Sequence, residues 1–161
     1  MRWFERSTPD NFPSVPWLDP MAISALEAWL APDMEVLEHG AGGSTLWMAQ
    51  RVKKVASVES DIDFYAALTK RVPANVTLLY RTDVSKLHPA DLLLIDGEPV
   101  EDRREWILSA PQLAKKYVVL DNANRPEYKK ERKTLLKEFE LVMTIKAKVG
   151  EFLLTEFYAR R

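Results

Sequence analysis

The chain predicts an α/β fold: a doubly wound, mostly parallel seven-stranded sheet with helices on both faces and a C-terminal antiparallel hairpin. Three observations carry this reading. Short apolar runs alternate with helical stretches along most of the 161 residues, as in repeated βα units. The runs Leu92-Leu93-Leu94-Ile95 and Val118-Val119-Leu120 are apolar at every position, as central parallel strands covered on both faces must be. The alternation then ends: Glu140 to Lys148 and Glu151 to Arg160 are β-prone runs meeting at Val149-Gly150 with no helix between them, which reads as a hairpin.

In chain order, the first residues carry Pro9, Pro13 and Pro16 with Trp3, Phe4, Phe12 and Trp17. Proline blocks regular structure there while the aromatic rings supply apolar anchors, so residues 1–18 read as an ordered arm or lid. Asp19 is placed to cap a helix whose first position is Pro20, because proline has no amide hydrogen to lose and its φ is already helical. That helix should reach about Leu30. Strands follow at Glu35 to Glu38, Lys54 to Glu59, Val76 to Tyr80, Asp91 to Asp96 and Tyr117 to Asp121, with helices starting near Ser44, Asp61, Val100 and Pro126. Residues 19–161 form the core of a single domain spanning 1–161.

Composition narrows the function classes. Apolar residues make up 47 % and charged residues 29 %, the balance of an ordinary globular protein. Net charge is -1, from 23 basic and 24 acidic residues, so no global field draws in nucleic acid or an anionic membrane. With no cysteine, disulfides, thiolate zinc sites and cysteine nucleophiles are excluded. Met1 to Arg6 lacks the apolar core of a signal peptide, and no run approaches the roughly 18 apolar residues of a membrane span. A soluble, cytoplasmic protein is expected.

The most informative segment is Val36 to Thr45, where an apolar strand ends in Glu38 and His39 and passes through Gly40-Ala41-Gly42-Gly43 into a helix. Glycines let a backbone approach a ligand closely, although a tight strand-to-helix turn alone would use them too. Glu59, ending the next strand about twenty residues on, can accept hydrogen bonds from ribose hydroxyls. Together the two features indicate a nucleoside. A dinucleotide fingerprint would require a small residue where Thr45 stands, and Glu38 would repel a diphosphate while attracting an ammonium. An NAD-linked oxidoreductase is therefore the disfavoured alternative; a non-catalytic module that binds an adenosyl cofactor or nucleotide is another.

With Leu37 to Ala49, Ser57-Val58-Glu59, Leu94-Ile95-Asp96-Gly97 and Val119-Leu120-Asp121-Asn122 in view, residues 17–158 resemble the successive motifs of class I S-adenosylmethionine-dependent methyltransferases. The resemblance implies a cofactor site made by Glu38, Gly40, Ala41, Gly42, Ser44, Thr45, Glu59, Ser60, Asp83, Val84 and Asp96. In it Glu38 orients the methionine ammonium, Glu59 holds the ribose, and Asp83 meets the adenine amino group. It also implies that Asp96 stands beside the place where the cofactor sulfonium and the acceptor meet; if no metal is present, Asp96 is the best candidate for the catalytic base. The proline-aromatic motif of enzymes that methylate exocyclic nitrogens is missing after the fourth strand, and thiolate-mediated C5 transfer needs a cysteine; a small-molecule oxygen is the leading acceptor and nucleic acid is disfavoured.

The set Asp96, Asp121 and Asn122 also resembles the Mg²⁺ ligands of cation-dependent O-methyltransferases, though Glu98-Pro99-Val100 stands where the catechol-type base lysine would be. Caps and turns are the other reading of those residues. Trp3, Phe12 and Trp17 are candidates for a substrate lid. His39 is read as a packing or substrate-shaping residue, His88 is unassigned, and the basic run Lys129 to Lys133 as a solvated helix face because Glu127, Glu131 and Glu138 interleave it. The residues specify neither the acceptor nor the oligomeric state.

Overall fold

The structure is a computed structural model and describes residues 8, 9, 11–147 and 154–161. Trp3, Phe4 and the Val149-Gly150 junction lie outside the described residues.

The elements, in order, are α1 (Pro20–Trp29), β1 (Glu35–His39), α2 (Gly43–Ala49), β2 (Lys54–Glu59), α3 (Ile62–Thr69), β3 (Val76–Tyr80), β4 (Ala90–Ile95), α4 (Arg103–Leu113), β5 (Ala114–Leu120), α5 (Lys129–Glu138), β6 (Phe139–Lys146) and β7 (Leu154–Arg160). They build one seven-stranded sheet in the order β3-β2-β1-β4-β5-β7-β6. β1 to β5 run parallel, and β7 enters antiparallel between β5 and β6. The expected fold class is therefore the observed one.

The period-2 alternation of each strand divides the core in two. Leu37, Leu93, Ile95, Val118 and Leu120 face one side and pack under Trp106 and Ile107 of α4 and Leu135 of α5. Val36, Leu92, Leu94, Val119 and Phe157 face the other side and pack under Leu26 of α1 and Trp47 and Met48 of α2. Strands β1, β4 and β5 lie between these layers, which explains their unbroken apolar character.

The helix starts follow local chemistry. The Asp19 carboxylate accepts a hydrogen bond from the Met21 amide at 2.9 Å, with Pro20 at the first helical position. Asp61 accepts from the amides of Asp63 at 2.9 Å and Phe64 at 3.0 Å. The two helices expected from Val100 and Pro126 begin instead as single 3₁₀ turns, Val100–Asp102 and Pro126–Tyr128, and turn α-helical at Arg103 and Lys129. β5 begins at Ala114 rather than Tyr117: Lys115 and Lys116 are exposed at its open end, and Lys116 pairs with Asp91 of β4 at 3.1 Å. Charges at a solvated strand end masked its apolar pattern.

The arm is anchored on the rest of the chain. Phe12 is buried against Leu46 and Leu68, with the Arg71 guanidinium 4.1 Å from its ring centroid and bonded to its carbonyl at 3.1 Å. The carbonyls of Pro13 and Val15 lie so near Gly43 that an added Cβ would sit 2.2 Å and 2.3 Å from them. The first residue of α2 is glycine because the arm crosses it.

Candidate active site

A cleft of about 660 Å³ opens at the carboxyl ends of β1, β2, β4 and β5, where an open α/β sheet binds its ligands. Gly40, Ala41, Gly42 and Ser44 line it from the first loop, Glu59 from β2, Asp96 from the end of β4, and Asp121 and Asn122 from the end of β5. An adjoining recess of about 1020 Å³ shares Glu59, Asp61 and Glu98 and adds His39, Ser60, Asp83 and Val84. Most of the residues picked from sequence thus line the cleft or the recess beside it.

Its floor is backbone on backbone. Gly40 adopts φ +87°, and a Cβ there would lie 2.3 Å from the Gly97 Cα; a Cβ on Gly97 would lie 2.7 Å from the Gly40 nitrogen. The loops after β1 and β4 therefore touch. A Cβ at Gly42 would meet nothing within 4 Å, so the fold leaves that position open toward the cleft.

Glu38 does not line the cleft. It is fully buried beneath the loop, where its carboxylate accepts hydrogen bonds from the hydroxyls of Ser44, Thr45 (2.6 Å) and Ser57. Ser57 is its direct neighbour across the β1–β2 ladder. Burial pushes the Glu38 carboxyl up to about 7 despite the three donors. Thr45 is equally buried, and its hydroxyl also accepts from the Gly42 amide at 2.9 Å. Both residues hold the loop in shape from below.

Glu59 is 8 % exposed and already bonded: one oxygen accepts from the Ala41 amide at 2.9 Å, the other from the amides of Ser60 and Asp61 at 2.7 Å each. A carboxylate offers about four lone-pair sites, so about one remains for a ligand hydroxyl. Burial raises its pKa and the three amides oppose the rise. Asp83 is exposed and caps a 3₁₀ turn, Val84–Lys86, by accepting from the Ser85 amide at 2.8 Å.

At the far end Asp96 and Asp121 come together. Burial raises the Asp96 carboxyl well above its usual range and the Asp121 charge adds to this, while Arg103 opposes it; its side chain keeps 25 % exposure. Burial also raises Asp121, countered by the Thr155 hydroxyl, which donates to it at 2.6 Å. The charge of one carboxyl opposes ionisation of its neighbour, which is the direction of the Asp96 shift.

Arg103 is the cleft-lining residue that motif reading missed. Its side chain is 1 % exposed, and it donates to the carbonyls of Gly97 at 2.8 Å, Asp121 at 2.8 Å and Asp96 at 2.7 Å. One guanidinium thus ties the end of β4 to the end of β5 and faces the carboxyl pair. In the sequence it is one arginine among 23 basic residues, distinguished only by lying seven positions after Asp96.

The histidine and aromatic candidates also have places. His39 stacks on Trp106 with centroids 4.8 Å apart, and burial drives its pKa down to about 3, so it is neutral. Trp17 lines the cleft and meets Phe64 edge to face at 6.1 Å, whereas Phe12 lies in the core beneath the arm and does not line the cleft. Among the described residues, no group of three or more His, Asp or Glu side chains is arranged to hold a metal ion, and no helix is long and apolar enough to cross a membrane.

No family model and no curated protein matches the chain. Solved structures do. Magnesium protoporphyrin IX methyltransferase (ChlM) from Synechocystis PCC 6803, with bound SAM, superposes with a TM-score of 0.64 at 17 % identity, covering 88 % of this chain and 79 % of that one. M. jannaschii TYW2, in complex with AdoMet, gives 0.61 at 13 % over 98 % and 77 %. The 23S rRNA methyltransferase ErmE gives 0.57 at 21 % over 89 % and 68 %. With the strand order described above, these similarities establish that the chain has the class I, Rossmann-like fold of S-adenosylmethionine-dependent methyltransferases.

Proposed function

We propose that the chain is an S-adenosylmethionine-dependent methyltransferase that transfers its methyl group by direct displacement to an oxygen of a small molecule. The observation that carries this reading is the convergence of the glycine loop, Glu59 and the adjacent Asp96 and Asp121 carboxyls on one cleft at the strand ends. The cofactor's amino-acid end would lie over Gly40 to Ser44, its ribose would take the free acceptor site of Glu59, and its adenine would enter the recess at Asp83 and Val84. Glu38 and Thr45 would act by fixing the loop, a role different from direct contact with the methionine ammonium.

In-line displacement needs an oriented acceptor, exclusion of water and a destination for the acceptor's proton. Trp17 and Phe64 supply an apolar wall. Asp96, whose proton affinity is raised by burial and by the Asp121 charge, is the candidate to take the acceptor's proton. A polyanionic acceptor fits poorly, because Asp19, Asp61, Asp96, Glu98 and Asp121 all line the cleft and its one arginine is committed to carbonyls. Proteins of this fold include a magnesium protoporphyrin IX methyltransferase and a 23S rRNA methyltransferase, so the fold alone does not choose the acceptor.

A magnesium ion at Asp96, Asp121 and Asn122 is the second reading. These are hard oxygen donors of the right type, and a cation there would offset the mutual repulsion of the two carboxyls. Bound there, it would lower the pKa of an acceptor hydroxyl.

The test is isothermal titration with S-adenosylhomocysteine, with NADH as a parallel control, each with and without magnesium. Saturable binding of S-adenosylhomocysteine alone supports the proposal. No binding, or preference for NADH, would overturn it.

A further inference from the structure

The cleft and the recess beside it share a boundary made by Glu59 and Asp61 at the end of β2 and by Glu98 of the loop after β4, all of which line both. A bond crosses that boundary: the Ser60 hydroxyl donates to the Glu98 carbonyl. Among the described residues, no other hydrogen bond joins residues 60–61 to residues 97–99. Each end of the bond sits on anchored backbone. The Ser60 amide donates to the Glu59 carboxylate at 2.7 Å, and the Ser60 carbonyl accepts from the Arg81 guanidinium at 3.1 Å. Across the gap, the Gly97 carbonyl is held by Arg103, and the Glu98 carboxylate lies 3.6 Å from the Arg125 guanidinium. Behind the bond, the wall of the recess includes His39, which is 3 % exposed and whose Nδ1 has no hydrogen-bond partner. An orphaned polar atom in the wall of a roomy recess points to an occupant of that recess.

We propose that the Ser60–Glu98 bond is a bar that an adenosyl ligand must break to seat its base, so that the chain holds its own cofactor site partly closed. This inference rests on the cofactor placement proposed above, with the ribose at Glu59 and the base at Asp83 and Val84. One glycosidic bond joins ribose to base. A ligand with its ribose in the cleft and its base in the recess therefore has to cross between Ser60 and Glu98. A ring in contact with both loops needs roughly 7 Å between their atoms, twice a van der Waals contact. Hydrogen-bonded atoms stand only about 3 Å apart. The bar and the seated base thus exclude each other, whereas the amino-acid end of the ligand, over Gly40 to Ser44, meets no such obstacle. Binding carries the cost of parting the loops, and the apparent affinity scales with the fraction of molecules in which they have parted.

The test is isothermal titration of the full chain with S-adenosylhomocysteine, comparing wild type, Ser60→Ala and Ser60→Thr. Ser60→Ala removes the bar and should bind about fivefold more tightly, the change in open population that one net hydrogen bond sets. Ser60→Thr keeps the hydroxyl and should match wild type. A hydroxyl that served the ligand directly would give the opposite sign, so equal or weaker binding by a folded Ser60→Ala, beside a wild type that binds, overturns the bar. A gain shared by Ser60→Thr overturns it as well, because the hydroxyl would then not be the agent. Absence of binding by all three proteins is a different result: it overturns the cofactor reading itself, and the bar with it.

Discussion

Glu38 offers a quantitative test of the loop's foundation. Its carboxyl is fully buried and is pushed up to about 7, against an ordinary value of 4.5. A carboxyl raised on folding contributes its stability in full below pH 4.5, and that contribution is lost as pH rises through about 7. At about 1.4 kcal/mol per pH unit of difference, ionisation of Glu38 costs the fold about 3 kcal/mol by pH 8. Glu38→Gln keeps a carbonyl acceptor and adds an amide that the Ser44, Thr45 and Ser57 hydroxyls can accept, so it removes the titration and preserves the cradle. Urea unfolding of both proteins at pH 4, 6 and 8 reads the difference. The variant should gain about 3 kcal/mol relative to wild type between pH 4 and pH 8, with most of the change between pH 5 and 7. Parallel stability curves for the two proteins would show that Glu38 does not titrate in this range, and the account of its burial would fail.

Three further outcomes are expected. Arg103→Met should destabilise the protein by about 3 to 5 kcal/mol in urea, because the carbonyls of Asp96, Gly97 and Asp121 lose their buried donor and the carboxyl pair loses its counter-charge; a loss under 1 kcal/mol would refute the clamp. Gly42→Ala should leave the melting temperature unchanged, since its Cβ meets nothing within 4 Å, yet weaken S-adenosylhomocysteine binding in calorimetry about tenfold or more. Equal binding by that variant would remove the loop from the cofactor site. Asp121→Ala should abolish any magnesium dependence of binding; retained dependence would rule out the Asp96, Asp121, Asn122 ligand set.

Much of the fold was legible because short-range chemistry and burial agree. The bounds of β2 and β3, the Asp19 cap, the helix start near Asp61 and the convergence of Gly40 to Ser44 with Glu59 follow from apolar period, cap residues and turn chemistry. What stayed hidden depends on contacts between distant segments. Glu38 looks like a ligand-facing carboxylate until the β1–β2 register puts Ser57 beside it. Arg103 becomes a clamp only where the parallel β4–β5 pairing presents two strand ends to a single side chain. Phe12, one of several aromatic residues in the arm, is a core anchor because Arg71, 59 positions away, closes over it.

The contact between Gly40 and Gly97 has an evolutionary consequence. A methyl group at either position invades the other's backbone, so the first substitution already separates the two loops and the second adds little further damage. The two positions behave as a single locus, strongly non-additive and with no stepwise route to larger residues. The floor of the cleft is therefore closed to gradual change, and divergence in what the cleft accepts is channelled into side chains of the walls, such as Trp17 and Phe64, where one replacement alters shape without moving the backbone.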